Sequence, residues 1–111
     1  IVPIDDENDA NGKGPIEPSS QSVMDSTYQP LARPIFIYIS TQAAKKEEVQ
    51  KFVEFYLKNA PELVAEVGYI PLPKEAYAAA LERFNKRITG SVFGGQGSQV
   101  GVKIEEFLQK E

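Results

Sequence analysis

At 111 residues the chain is one domain at most, and its 41% hydrophobic content leaves little margin for a core. A net charge of −4 and a pI near 4.9 exclude the basic stripe that nucleic-acid binding needs. The absence of Cys and His excludes Cys/His zinc sites, thiol nucleophiles and His-based triads, and no apolar run approaches the ~18 residues of a membrane-spanning helix.

Residues 1–27 are poor in apolar groups and read as an extended lead-in segment, so the core must come from residues 28–110. Val2-Pro3-Ile4 reads as the end of a strand. Asp5 to Gly14 is a polar loop of residues that tolerate turns and left-handed backbone. Ser19 to Met24 reads as the start of a short helix. The chain opens on Ile1 with no signal-peptide pattern, which reads as a processed or trimmed chain.

Ile35-Phe36-Ile37-Tyr38-Ile39 is a continuous apolar run with no polar face. Such a run predicts a strand buried on both sides, as in a parallel sheet. Pro34 suits the first strand position. Residues 45–59 predict an amphipathic helix with Val49, Phe52, Val53, Tyr56 and Ala60 inward. Pro61 predicts the opening of a second short helix, with Leu63, Val64 and Val67 inward and Gly68 as its C-cap. Pro71 and Pro73 stiffen the connection to a third helix over 74–88, which buries Tyr77, Ala80, Leu81, Phe84 and Ile88 and ends at Gly90. Residues 91–101 form a Gly/Ser/Gln loop, and Val102 to Gln109 reads as a short strand or helix.

Few residues suggest chemistry. Glu7, Asp9, Asn11 and Gly12 follow the first half of an EF-hand loop, but Pro18 stands where the bidentate Glu belongs, so a solvated turn is the plainer reading. Gly94-Gly95-Gln96-Gly97-Ser98 offers backbone N–H groups to an anion, and matches neither the P-loop nor the dinucleotide fingerprint. Arg33 sits close to Pro30 and Pro34, where a guanidinium can clamp an anion or anchor the strand through an ion pair; the structural role is the preferred one. Tyr38, Tyr69 and Tyr77 read as core or rim aromatics with hydrogen-bonded hydroxyls. Glu47-Glu48 and Glu105-Glu106 read as solvated charges, and no nucleophile has a visible base. No catalytic or metal-binding residue is assigned, and the ligand candidates reduce to Arg33, Gln96 and Ser98.

Several segments, taken in order, carry a resemblance. They are Tyr28, Pro30, Leu31, Arg33 and Pro34 with the apolar run, then Phe52-Val53-Glu54-Phe55-Tyr56-Leu57, then Gly68-Tyr69-Ile70-Pro71-Leu72-Pro73, and Tyr77. Pro18-Ser19 ahead of Val23 fits too. Together they resemble the C-terminal portion of a periplasmic phosphate-binding protein (PstS-like), the receptor of a phosphate ABC transporter. Gly90-Ser91-Val92-Phe93-Gly94 resembles the cyanobacterial-type branch. Ala32 departs from a Ser that often precedes the Arg.

The resemblance implies an α/β, three-layer α/β/α fold of the type II periplasmic-binding-protein class, helix-rich in this segment. It places residues 1–27 as an extended hinge-return segment and 28–111 in the C-terminal portion of an α/β lobe. It implies a non-enzymatic solute receptor, periplasmic or at the cell surface, without a cofactor. Its partners would be inorganic phosphate, held through an upstream portion, and the transporter permease, with no nucleic acid and no membrane span of its own. In that family phosphate is held by backbone N–H groups, Ser/Thr hydroxyls, an Arg and an Asp. Those motifs do not appear here, so no phosphate ligand is carried over. The alternative is a stand-alone interaction module of the same fold that binds a protein by strand addition. The piece is expected to fold properly only with an upstream portion, or to be marginal and prone to association alone.

Overall fold

A computed structural model describes residues 1–90 of the chain. Gln96, Ser98, the Gly-rich loop and the segment 102–109 lie outside the described residues. Within residues 1–90 the fold is helix-rich: α1 (Ser20–Met24), α2 (Glu47–Glu66) and α3 (Lys74–Asn85), with a 3-10 turn at Ala43–Lys45. The sheet layer of the expected three-layer architecture is not present among the described residues. Their β pairing is a single antiparallel bridge, in which Ile4 and Ile16 exchange N–H···O bonds of 2.9 and 2.7 Å. The bridge closes the polar loop and bears out an extended conformation at Ile4.

α1 starts where the sequence places it. Ser19 caps it, and its hydroxyl accepts from the Ser22 N–H at 3.0 Å while the Ser22 hydroxyl accepts from the Ser19 N–H at 3.0 Å. Ser22 is buried and also donates to the Glu17 carbonyl at 2.7 Å, which fixes the chain before the helix.

α2 is one helix of 20 residues, with Pro61 inside it, where two helices are expected from the sequence. Pro61 removes the N–H that would bond the Leu57 carbonyl, a cost of up to about 3 kcal/mol. Burial of Leu57 and Ala60 on the turn before Pro61 keeps the helix continuous. Gly68 at φ +83° ends it: its N–H bonds the Ala65 carbonyl and the Tyr69 N–H bonds the Val64 carbonyl, both at 3.0 Å. The predicted cap is thus in place.

α3 begins after Pro73, as expected, but stops at Asn85. Arg87 takes the left-handed position at the helix end, φ +57°, with Gly90 three residues further on at φ +96°, and the Ile88 N–H bonds the Arg83 carbonyl at 3.2 Å. Arg87 can hold that conformation because its side chain is anchored. Its guanidinium donates to the Phe84 carbonyl at 2.7 Å and the Ala44 carbonyl at 3.0 Å, and lies 4.6 Å from the Phe84 ring centre.

α2 and α3 form an antiparallel hairpin. The 57–62 stretch of α2 faces the first two turns of α3, and Arg87 beyond the end of α3 reaches the 3-10 turn that precedes α2. The core is small: Ala44, Val53, Leu57, Ala60 and Ala76. Several residues expected inside lie outside. Phe52 is 63% exposed, and Leu63, Val67 and Ile88 are also exposed. The two-helix hairpin covers only one stripe of α2, and Phe52 and Leu63 fall beside it.

The largest departure is at 35–39. No strand forms there, and Ile35, Phe36, Ile37 and Tyr38 are exposed, Tyr38 by 89%. A strand buried on both faces needs neighbours on both edges and a layer above and below. The described residues supply none of these.

Candidate functional site

Arg33 turns back on its own segment. Its Nη1 donates to the Pro30 carbonyl and, at 2.9 Å, to the Ala32 carbonyl. It makes no ion pair among the described residues, so the expected anchor is a backbone clasp rather than a carboxylate. The acidic loop is likewise occupied with itself. The Asp5, Asp6 and Asn8 side chains accept from backbone N–H groups two residues on, at 2.9, 3.2 and 3.2 Å. The Asn11 amide donates to Asp6 Oδ2 at 2.6 Å. These carboxylates build a turn, and no group of acidic side chains among the described residues converges as a cation site.

Tyr77 holds the connection between α2 and α3. Its hydroxyl accepts from the Leu72 N–H at 3.2 Å. Leu72 lies between Pro71 and Pro73, so this is the one amide proton of that tripeptide. Beside it an open groove of about 480 Å³ is lined by Leu57, Pro61 and Lys58 of α2 and by Lys74, Tyr77 and Leu81 of α3.

Glu54 is held below the ordinary glutamate range by a hydrogen bond and by the charge of Lys58, 2.6 Å away, and Glu82 likewise by Lys86 at 2.9 Å. Glu47 pairs with Lys51 at 2.6 Å. All three pairs run i to i+4 along an exposed helix face, which supports the reading of Glu47 as a solvated charge.

What the surface offers instead is apolar area. Ile35 to Tyr38 form one exposed ribbon. Phe52, Phe55 and Leu63, at spacings of three and eight, form a ledge along α2 beside its buried stripe. Phe52 packs on Tyr56 with ring centres 6.2 Å apart. The ledge is legible in the sequence as apolar residues on two faces of one helix, a pattern that a single-stripe reading misses. Among the described residues this arrangement offers apolar area rather than converging polar groups.

Comparison with known proteins agrees with the segment-by-segment resemblance. A 102-residue stretch covering 92% of the chain is 55% identical to protein SphX of Synechococcus elongatus, and one covering 91% is 48% identical to SphX of Synechocystis sp.. A stretch of 75 residues, 67% of the chain, is 35% identical to the phosphate-binding protein PstS of Staphylococcus aureus. The sequence is similar to PstS-like phosphate-binding proteins. The matched stretch spans 30% of each SphX protein and 22% of PstS. No protein-family model matches the chain, and no solved structure matches it. No helix among the described residues is long and apolar enough to cross a membrane.

Proposed function

We propose that the chain is the C-terminal portion of a phosphate-binding receptor for ABC-type phosphate uptake, of the cyanobacterial-type branch. It acts at the periplasmic face or cell surface and is not an enzyme. In this reading residues 1–27 are the hinge-return segment and residues 28–111 complete an α/β lobe. The chain then contributes fold rather than most of the ligand site. Inorganic phosphate is held by the remainder of the receptor, and a surface of the closed receptor docks on the permease.

The observation that carries this reading is 55% and 48% identity over 102 residues to SphX proteins, joined by 35% identity to a protein named for phosphate binding. The surface supports it. An apolar ribbon and an apolar ledge are left uncovered, as they would be in a piece cut from a larger packed body. Arg33 is spent on backbone carbonyls, so the described residues present no formed anion clamp. The stand-alone interaction module gains nothing from relatives of these names.

The test is calorimetric titration with inorganic phosphate. It compares the chain alone with the chain carried in place of the matching segment of the Staphylococcus aureus phosphate-binding protein. The expected result is silence from the chain alone and binding by the chimera. A chimera that keeps its parent's circular dichroism yet fails to bind would overturn the fold-donor role. Binding by the chain alone would show that the ligand site lies within it.

A further inference from the structure

We propose that Asn11 is a site of spontaneous chemical modification, where the fold holds an Asn-Gly pair open to deamidation. The amide nitrogen of Gly12, giving its proton to water, attacks Cγ of Asn11. A C–N bond forms, the Cγ–Nδ2 bond breaks, and ammonia departs to leave a cyclic imide. Water then opens the ring at either carbonyl and leaves aspartate or isoaspartate at position 11. Water is the sole co-reactant. The attack needs an amide nitrogen that is not engaged in a hydrogen bond and a following residue whose side chain does not crowd the approach.

Gly12 meets both needs. Its N–H has no hydrogen-bond partner among the described residues, and it carries no Cβ. The other three asparagines of the chain each fail one of them. Asn8 is followed by Asp9, whose side chain crowds the approach. Asn59 is followed by Ala60 inside α2, where the helix engages the amide nitrogen, and its own amide is held on the Phe55 carbonyl at 2.7 Å. Asn85 is followed by Lys86, whose N–H bonds the Glu82 carbonyl at 2.9 Å. The fold also keeps the pair in place. A Cβ at position 12 would stand 3.1 Å from Ile16 Cδ1, at φ +135°, a backbone that side chains rarely adopt. The loop closed by the Ile4–Ile16 bridge therefore calls for glycine there.

The modification reaches beyond its own residue. The Asn11 amide donates to Asp6 Oδ2 at 2.6 Å, and the Asn11 N–H bonds the Asn8 carbonyl at 3.0 Å. An aspartate at position 11 has no hydrogen to offer and sets a second negative charge against Asp6. Isoaspartate in addition lengthens the backbone by a methylene. Either product pushes open the loop that ties Ile4 to Ile16, and adds a unit of negative charge to a chain that stands at −4. The loop is polar and bonded to itself, so the inference does not depend on the receptor reading.

The test is to incubate the folded chain in mildly alkaline buffer and follow it by peptide mapping. Cleavage after Lys13 releases residues 1–13, which hold Asn8 and Asn11, and fragmentation in the mass spectrometer separates the two. The mass gain at Asn11 is expected to outpace that at Asn8, Asn59 and Asn85 by an order of magnitude or more. Methyl uptake from an isoaspartate methyltransferase is expected to mark the isoaspartate share, and Asn11→Gln to remove both signals. In hydrogen exchange, Asn11→Asp is expected to speed exchange at Ile4 and Ile16 severalfold with the helix signal unchanged. Asp6→Asn combined with Asn11→Asp is expected to restore it, because an amide then donates where a carboxylate repelled. Modification no faster at Asn11 than at Asn8, or seen at Asn11 only once urea has unfolded the chain, would overturn the proposal. Equal exchange in Asn11→Asp and the unmodified chain would overturn the loop opening.

Discussion

Single residues hold the hairpin together at its two ends. At one end the Tyr77 hydroxyl satisfies Leu72 between two prolines. Tyr77→Phe keeps the ring and removes that acceptor, so it is expected to cost about 1 kcal/mol of stability, read as a lower urea unfolding midpoint. At the other end Arg87 pairs a left-handed backbone with an anchored side chain. Arg87→Gly and Arg87→Ala both lose the bonds to Ala44 and Phe84, but only glycine suits φ +57°. The expected order of stability is therefore Arg, then Gly, then Ala, with about 1 kcal/mol between the last two. A variant series in thermal unfolding reads this directly, and Ala equal to Gly would remove the strain argument. Sequence reading gave this stop to Gly90, since glycine is the usual left-handed residue. The true stop depends on a contact 43 positions away, which no local pattern encodes.

At the scale of elements, α2 carries the fold and also its main weakness. Pro61→Ala restores the missing donor to Leu57 and is expected to stabilise α2 by about 1–3 kcal/mol, seen as a higher midpoint and greater helicity. The exposed pairs on α2 and α3 make helicity depend on pH. Lys58 and Lys86 depress the folded-state pKa of Glu54 and Glu82. Their contribution is present above the ordinary glutamate range and is lost as pH falls through the depressed values. Far-UV circular dichroism is expected to show a small loss of helix on acidification, and Glu54→Gln with Glu82→Gln should flatten it. The effect is modest and shrinks in salt, because both pairs are exposed. Helix positions were legible in part: the short helix at Ser19 to Met24, the cap at Gly68 and the start after Pro73 follow from residue chemistry alone. Helix extent was less so. Pro61 reads as a boundary until the burial of Leu57 and Ala60 is known to bridge it.

For the whole molecule the reading of 35–39 is the instructive one. Five apolar residues in a row read as a buried strand, but an interior is a property of neighbours, and the described residues leave the run exposed. Likewise α2's two apolar faces mark a helix with more to bury than one partner covers. Amide hydrogen exchange should show this unevenness. Protection is expected to be greatest over residues 53–60 and absent at Ile35, Ile37 and Tyr38 in dilute solution. Strong protection of that ribbon in a dilute monomer would mean that the chain itself covers it. The candidate ligand residues were the least legible part. Arg33 finds backbone partners, and Gln96 and Ser98 lie outside the described residues.

The ribbon also decides how the chain is cut. From Ala32 to Ser40 the backbone forms no helix, strand or turn, with side chains open to solvent at most positions, the kind of stretch that proteases enter. Yet an enzyme that cleaves after basic residues finds nothing to use there. Arg33 is followed by Pro34, which blocks cleavage, and the next basic residue is Lys45. An enzyme that cleaves after aromatic residues meets Phe36 and Tyr38 in the open. Brief digestion by the second type should release a fragment beginning at Ile37 or Ile39 with both long helices intact, while the first type leaves the ribbon whole.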